Sequence, residues 1–263
     1  MDDGQQPHPT RRVVLLGASN LTMSFPVVVE TARRIWGGPV EIMAAMGHGR
    51  SYGQDSRVLA RKISGIFPCA LWQDLQNRPP LPTAALITDI GNDLIYGVRP
   101  DQLLTWVAAC LDRLSDAGAA TVITQLPMDS LERLGEARFR FFRRLLFPRC
   151  AVSMSDLRAS AMAVNEQLIA LGRQRKLSVI PVSGAWYGFD PIHLKRRARP
   201  RAWPELLAAW RALDEPLREA RASLWTSAYL ACLSPHEHTI FSMRRHCAQP
   251  SGRLADGSTI SLY

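Results

Sequence analysis

Five short apolar runs, separated by amphipathic stretches, constrain this chain more than any other feature. Val13–Leu16, Val40–Ala45, Ala84–Ile90, Thr121–Leu126 and Leu177–Val182 are near-continuous in hydrophobicity rather than alternating. That is the pattern of parallel strands covered on both faces. Between them the periodicity predicts helices over about 25–36, 55–66, 101–116 and 156–175. The last has Ser155 as its candidate N-cap, with Ala161, Val164, Leu168 and Leu171 at helical spacing. Strand then helix, repeated, requires right-handed crossovers and predicts an α/β fold, a three-layer α/β/α sandwich with a parallel sheet of about five strands. A further helix is expected over 203–221, with Trp203, Leu206, Leu207, Trp210, Leu213 and Leu217 on its core face. Residues 223–263 lose this periodicity, and only Asp256-Gly257 stands out there, as a hairpin turn signal. The expected division is a disordered 1–11, a domain over 12–222 and a C-terminal extension over 223–263 with no assigned role.

In doubly wound sheets ligands bind outside the carboxyl ends of the strands. Four such ends carry small or polar residues: "GASN" at 17–20, "GHGRSYG" at 47–53, "GND" at 91–93 and "WYGFDPIH" at 186–193. Ser19 stands where a strand gives way to a helix. A serine hydroxyl becomes a useful nucleophile only beside a base, usually a histidine oriented by a carboxylate. Asp190 and His193, three apart with Pro191 between them, suit that pairing. The oxyanion of an acyl transfer also needs preorganised donors. Asn92 can aim a side-chain amide into the cleft, and the glycines around His48 let a backbone N–H approach a ligand. His48 has no carboxylate near it in sequence and suits a pocket wall better than a base. Each motif alone reads more readily as a turn; their order and common placement at strand ends is what points to one site.

"LLGASN", "GHG", "DIGND" and "FDPIH" resemble, in order, the four signature blocks of the SGNH/GDSL hydrolase superfamily. The resemblance spans about residues 12–222 and implies a flavodoxin-like α/β/α sandwich of the SGNH-hydrolase type. It implies Ser19 as nucleophile and backbone oxyanion donor, Gly49 (rather than Gly47) as second donor, and Asn92 as third. His193 would be the base and Asp190 its partner. One departure stands beside the serine: the family's usual Asp is Ala18 here. "GASNL" also lacks the second glycine of the nucleophile elbow of α/β-hydrolases.

The expected activity is cleavage of a carboxylic ester or thioester, on a small molecule or an acylated glycan, through an acyl-enzyme. Two alternatives stay open: acyl transfer by the same triad, and a non-catalytic module that binds through a basic surface. Net charge is +9, and "KRRARPR" at 195–201 holds five basic residues in seven. Lys195, Arg196, Arg197, Arg199 and Arg201 are candidates for an anionic substrate or surface, and "RFRFFRRLLFPR" at 138–149 forms a second basic patch. No nucleic-acid motif accompanies either. Asn20, Leu21, His48, Tyr52, Trp186 and Tyr187 are expected pocket walls from their adjacency to the motifs. No cofactor or metal is expected, since "HEH" at 236–238 offers two histidines without further ligands nearby in sequence. Cys69, Cys110, Cys150, Cys232 and Cys247 are scattered and odd in number, which suits a reducing compartment. With no export signal or membrane span visible, a cytoplasmic location is expected.

Overall fold

The computed structural model describes residues 7–58, 61–146, 151–210, 216–240 and 243–263. In chain order come β1 (Arg11–Leu16), α1 (Ser19–Ile35), β2 (Val40–Ala45), β3 (Ser56–Val58), β4 (Arg61–Ile63), α2 (Leu71–Asn77) and β5 (Thr83–Ile87). Next are α3 (Asn92–Ile95), α4 (Pro100–Asp116), β6 (Ala120–Thr124), α5 (Met128–Glu132), α6 (Glu136–Leu146), α7 (Met154–Arg175) and β7 (Ser178–Ile180). The chain finishes with α8 (Arg199–Leu206), α9 (Leu224–Ala231), β8 (Glu237–Ile240), β9 (Met243–His246), β10 (Gly252–Arg253) and β11 (Thr259–Leu262).

The main sheet runs β10-β11-β2-β1-β5-β6-β7. All its pairings are parallel except the edge pair β10–β11. Because parallel neighbours need crossovers, helices cover both faces. On one face Val14, Leu16, Ile87 and Ile123 pack with Leu71, Val107, Leu111, Val164 and Leu168 from α2, α4 and α7. On the other, Val13, Leu15, Ile42 and Leu86 meet Phe25, Val28 and Val29 of α1 and Trp203 and Leu206 of α8. The architecture is the expected three-layer α/β/α sandwich, with five parallel strands β2-β1-β5-β6-β7 at its heart.

Several expectations are corrected. The sheet has seven strands, because β10 and β11, from the unplaced 223–263 segment, extend it beyond β2. The turn at Asp256-Gly257, with Gly257 at φ 88°, joins them. The described residues of 55–66 form no helix. They supply β3 and β4 to a four-stranded antiparallel sheet, β3-β4-β8-β9. β4 is completed by β8, whose Thr239 and Ile240 pair with Lys62 and Arg61 across 177 and 179 residues, a partner local periodicity does not register. The helix expected over 203–221 is α8, which ends at Leu206, followed by a 3-10 turn at Ala208–Trp210. Residues 211–215 lie outside the described residues, and 216–222 are not helical; Pro216 has no N–H for a helix to use. Trp203 and Trp210 are buried core residues as their spacing suggests. α1 begins at Ser19, six residues before the predicted start. α7 is capped by Ser153, not Ser155: the Ser153 Oγ accepts the Asp156 N–H at 3.1 Å.

Register decides where the loops emerge. Leu16, the last residue of β1, is level with Ala45 on β2 and with Ile87 on β5. The segments 17–20, 46–53 and 88–93 therefore leave the sheet side by side.

Ile260 of β11 is wholly buried opposite Ile42. Ile260→Ala is expected to destabilise the whole domain by about 2–4 kcal/mol, seen as a single shifted transition in urea. An unmoved main transition with a separate early one would make β10–β11 an appendage.

Candidate active site

Gly17 closes β1 where no side chain fits: a Cβ there would lie 2.7 Å from Thr88 Cγ2. The chain then turns directly into α1, with Ser19 as its first residue. Beyond β7, a 3-10 turn at Gly184–Trp186 leads to a strap over 187–194 that crosses back above α1. His193 Nε2 lies 3.0 Å from Ser19 Oγ, and His193 Nδ1 lies 2.7 Å from Asp190 Oδ2. Asp190 Oδ1 accepts the backbone N–H groups of Ile192 and His193 at 2.9 and 3.2 Å, which fixes the carboxylate to its own turn. Burial alone pushes the Asp190 carboxyl up, but hydrogen bonds from the His193 ring and the two N–H groups, with the His193 charge, hold it below the ordinary value. Asp190 therefore keeps its negative charge well into the acid range.

Asn92 opens α3 just after β5 and is buried. Its Nδ2 is buried without a hydrogen-bond partner among the described residues, an amide donor awaiting an acceptor. Gly49 takes the left-handed conformation, φ 62°, which only glycine adopts freely, and its carbonyl accepts the Tyr96 hydroxyl at 2.7 Å. Asp93 ties this loop to α3. Its carboxylate accepts the Ser51 hydroxyl and, at 2.9 Å, the Tyr52 N–H. Burial pushes Asp93 from 3.8 to about 6, only partly offset by those hydrogen bonds. Arg50, fully buried, donates to the carbonyls of Met46, Ser64 and Tyr263 and so anchors the loop's other end.

The expected pocket walls separate into two groups. His48 is exposed at the lip; desolvation and then the neighbouring His193 lower its pKa. Trp186 is half-buried beside Lys195, Arg197 and Arg201. Leu21 and Tyr52 are instead wholly buried, Leu21 in the α1 core and Tyr52 beneath the site with its hydroxyl donating to Thr88 O at 2.7 Å. Tyr187 is buried and lines a cavity that Asn20 and Asn92 also border. Asn20 is buried too, and its amide bonds only to protein: Asp89 Oδ1, Ile192 O and the Leu194 N–H. Leu21 and Tyr52 line no part of that cavity, whereas Asn20 and Tyr187 do.

Of the basic run, Arg196, Arg197 and Arg201 are exposed, while Arg199 turns inward to the Met23 and Leu194 carbonyls at 2.7 and 3.3 Å. Lys195 Nζ donates to Ala185 O at 3.2 Å. In the second patch, Arg138 of α6 donates to the carbonyl oxygens of Gly188 and Phe189 and lies over the exposed Phe189 ring; residues 147–150 are outside the described residues. The hairpin β8–β9 brings His246 to His236 and Glu237, with potential ligand atoms all within 4.8 Å of one another, a juxtaposition the "HEH" run does not reveal. Cys69, Cys110, Cys232 and Cys247 are free thiols. No helix among the described residues is long and apolar enough to cross a membrane. Asp89, Asp93 and Ser51 lie within the quoted loop motifs without a role there, because their importance lies in groups they bind on neighbouring loops.

No protein-family model matches the chain, and no curated protein matches it in sequence. Solved structures do match its fold. A carbohydrate acetylesterase family member from Sinorhizobium meliloti aligns with TM-score 0.51 at 14% identity, over 74% of this chain and 96% of its own. The M. smegmatis aryl esterase aligns with TM-score 0.50 at 14% identity, over 75% and 96%. A GDSL-like lipase from Bacteroides thetaiotaomicron aligns with TM-score 0.47 at 12% identity, over 78% and 88%. The chain shares the fold of the carbohydrate acetylesterase family member and of the aryl esterase.

Asp93 gives a pH signature. Its raised pKa means that the folded chain holds a proton between about pH 4 and pH 6 that the unfolded chain has lost, so its contribution to stability falls as pH rises through that window. The stability of wild type relative to Asp93→Asn is expected to drop by roughly 2 kcal/mol from pH 4 to 6 and to level off above about pH 7. Urea titrations at fixed pH steps measure it, and a flat difference would count against a buried, uncompensated Asp93.

Proposed function

We propose that this protein is a serine esterase that cleaves a carboxylic ester through an acyl-enzyme on Ser19. The observation that carries the reading is the continuous chain Ser19 Oγ, His193 Nε2, His193 Nδ1, Asp190 Oδ2, with links of 3.0 and 2.7 Å. In this reading the ionised Asp190 holds the His193 Nδ1–H, leaving Nε2 unprotonated toward the serine. His193 takes the hydroxyl proton as Oγ bonds to the acyl carbon. The carbonyl π electrons move onto oxygen, which is met by the N–H groups of Ser19 and Gly49 and by the orphaned Asn92 amide. Collapse breaks the bond to the leaving alkoxide, which receives the proton from His193. Water, deprotonated by the same ring, then attacks the acyl carbon and releases the acid, returning the proton to Ser19. Thioesters fit the same steps. The fold neighbours named as an acetylesterase and an aryl esterase make short aryl esters the first substrates to try.

Wild-type protein is expected to label with a fluorophosphonate and to hydrolyse aryl acetates. Ser19→Ala and His193→Ala should each lose labelling and about 10³-fold or more in kcat. Equal labelling of Ser19→Ala, or none of the wild type, would overturn the assignment.

A further inference from the structure

Asp89 stands two residues beyond β5 with φ 59°, in the left-handed region that non-glycine residues enter only when their surroundings hold them there. Its carboxylate faces the start of α1, where Ala18 in the N-cap position has no side-chain acceptor to offer. Asp89 Oδ2 accepts the N–H groups of Ala18 and Leu21 at 2.9 and 3.1 Å. The helix is thus capped from a neighbouring strand, by a negative charge at the positive end of its dipole. Neither N–H is that of Ser19, the one the oxyanion needs.

The other oxygen continues the chain of contacts. Asp89 Oδ1 accepts Asn20 Nδ2 at 2.9 Å. Asn20 Nδ2 also donates to Ile192 O at 2.9 Å, and Asn20 Oδ1 accepts the Leu194 N–H at 2.8 Å. The residue after Ser19 therefore grips both neighbours of His193. Packing below this strap is incomplete: Asn20, Asp89, Tyr187, Ile192 and Leu194 border a cavity of about 90 Å³. Other ties exist, from Ser130 Oγ to Pro191 O at 2.9 Å and from Arg199 to Leu194 O. Only the Asn20 amide engages both sides of the histidine among them.

We propose that Asp89 and Asn20 are positioning residues: Asp89 orients the Asn20 amide, and that amide sets the separation of Ser19 and His193. With Ala18 beside the serine, the carboxylate that organises this turn comes from Asp89 on the adjoining loop. The inference rests on the reading of Ser19 and His193 as the reacting pair, but its structural half can be measured without turnover.

The decisive variant is Asp89→Gly, which removes the carboxylate and relieves the left-handed backbone, so the fold is kept. In hydrogen exchange followed by NMR, the Leu194 amide is expected to lose about tenfold or more of its protection, although Asp89 does not touch Leu194. Fluorophosphonate labelling and kcat on an aryl acetate should fall together by about 10- to 100-fold with KM little changed, because a small misplacement of the pair costs rate rather than binding. Asn20→Ala should reproduce both effects, and Asn20→Ser, too short to span both groups, should not rescue them. Wild-type protection of Leu194 in Asp89→Gly, or undiminished kcat in either variant, would overturn the clamp. A wild type that neither labels nor turns over, yet shows the Leu194 effect in Asp89→Gly, would overturn the esterase reading and uphold the clamp's geometry.

Discussion

Parallel pairing of β1 with β2 on one side and β5 on the other is the interaction on which the rest of the molecule depends. It places Leu16, Ala45 and Ile87 in one row, so three loops leave the sheet at the same height. It also forces long crossovers, which become the covering helices and bury both faces. The strap carrying Asp190 and His193 comes from a strand two places beyond β5, yet reaches Ser19 because β7 ends on the same edge. A hydroxyl and an imidazole 174 residues apart thus meet without any one loop being long enough to span them.

Three carboxylates surround the site and do different work because their partners differ. Asp190 accepts an imidazole N–H and two backbone N–H groups, and it stays charged. Asp93 accepts one hydroxyl and one N–H inside the protein, too little to offset burial, and its pKa rises. Asp89 binds two backbone N–H groups at a helix start and one side-chain amide. The number and kind of donors, rather than depth alone, separates a charged orienting group from a protonatable brace.

Much of this was legible in the sequence. The five apolar runs locate the five central parallel strands to within three residues at each end, since strands buried on both faces carry their signal locally. Ser19, Asp190, His193 and Asn92 could be singled out because strand ends in such sheets collect functional groups, and the first three meet within hydrogen-bond reach. What escaped depends on distant pairing. β3 and β4 look helical until β8 is placed beside them, and β11 looks like a tail until β2 offers its edge. Asn20 borders the cavity below the strap, but its grip on the strap escaped, because adjacency in sequence says nothing about which way an amide turns. Asp89 opens the "DIGND" block but is assigned no role by it; its weight comes from a backbone angle and from N–H groups 68 to 71 residues away.

The position of β11 bears on how the chain comes off the ribosome. β2 is made early, but its outer edge is paired by residues 259–262, synthesised more than 200 residues later. Throughout translation that edge presents unpaired N–H and C=O groups along an apolar strand, the template for pairing between nascent chains. The same residues bring up Tyr263, whose carbonyl receives buried Arg50 in the loop that carries Gly49. Completion of the sheet and full anchoring of that loop thus draw on the same residues, so a polypeptide interrupted before residue 259 would keep the four motif loops and lose one of the three acceptors that hold Arg50.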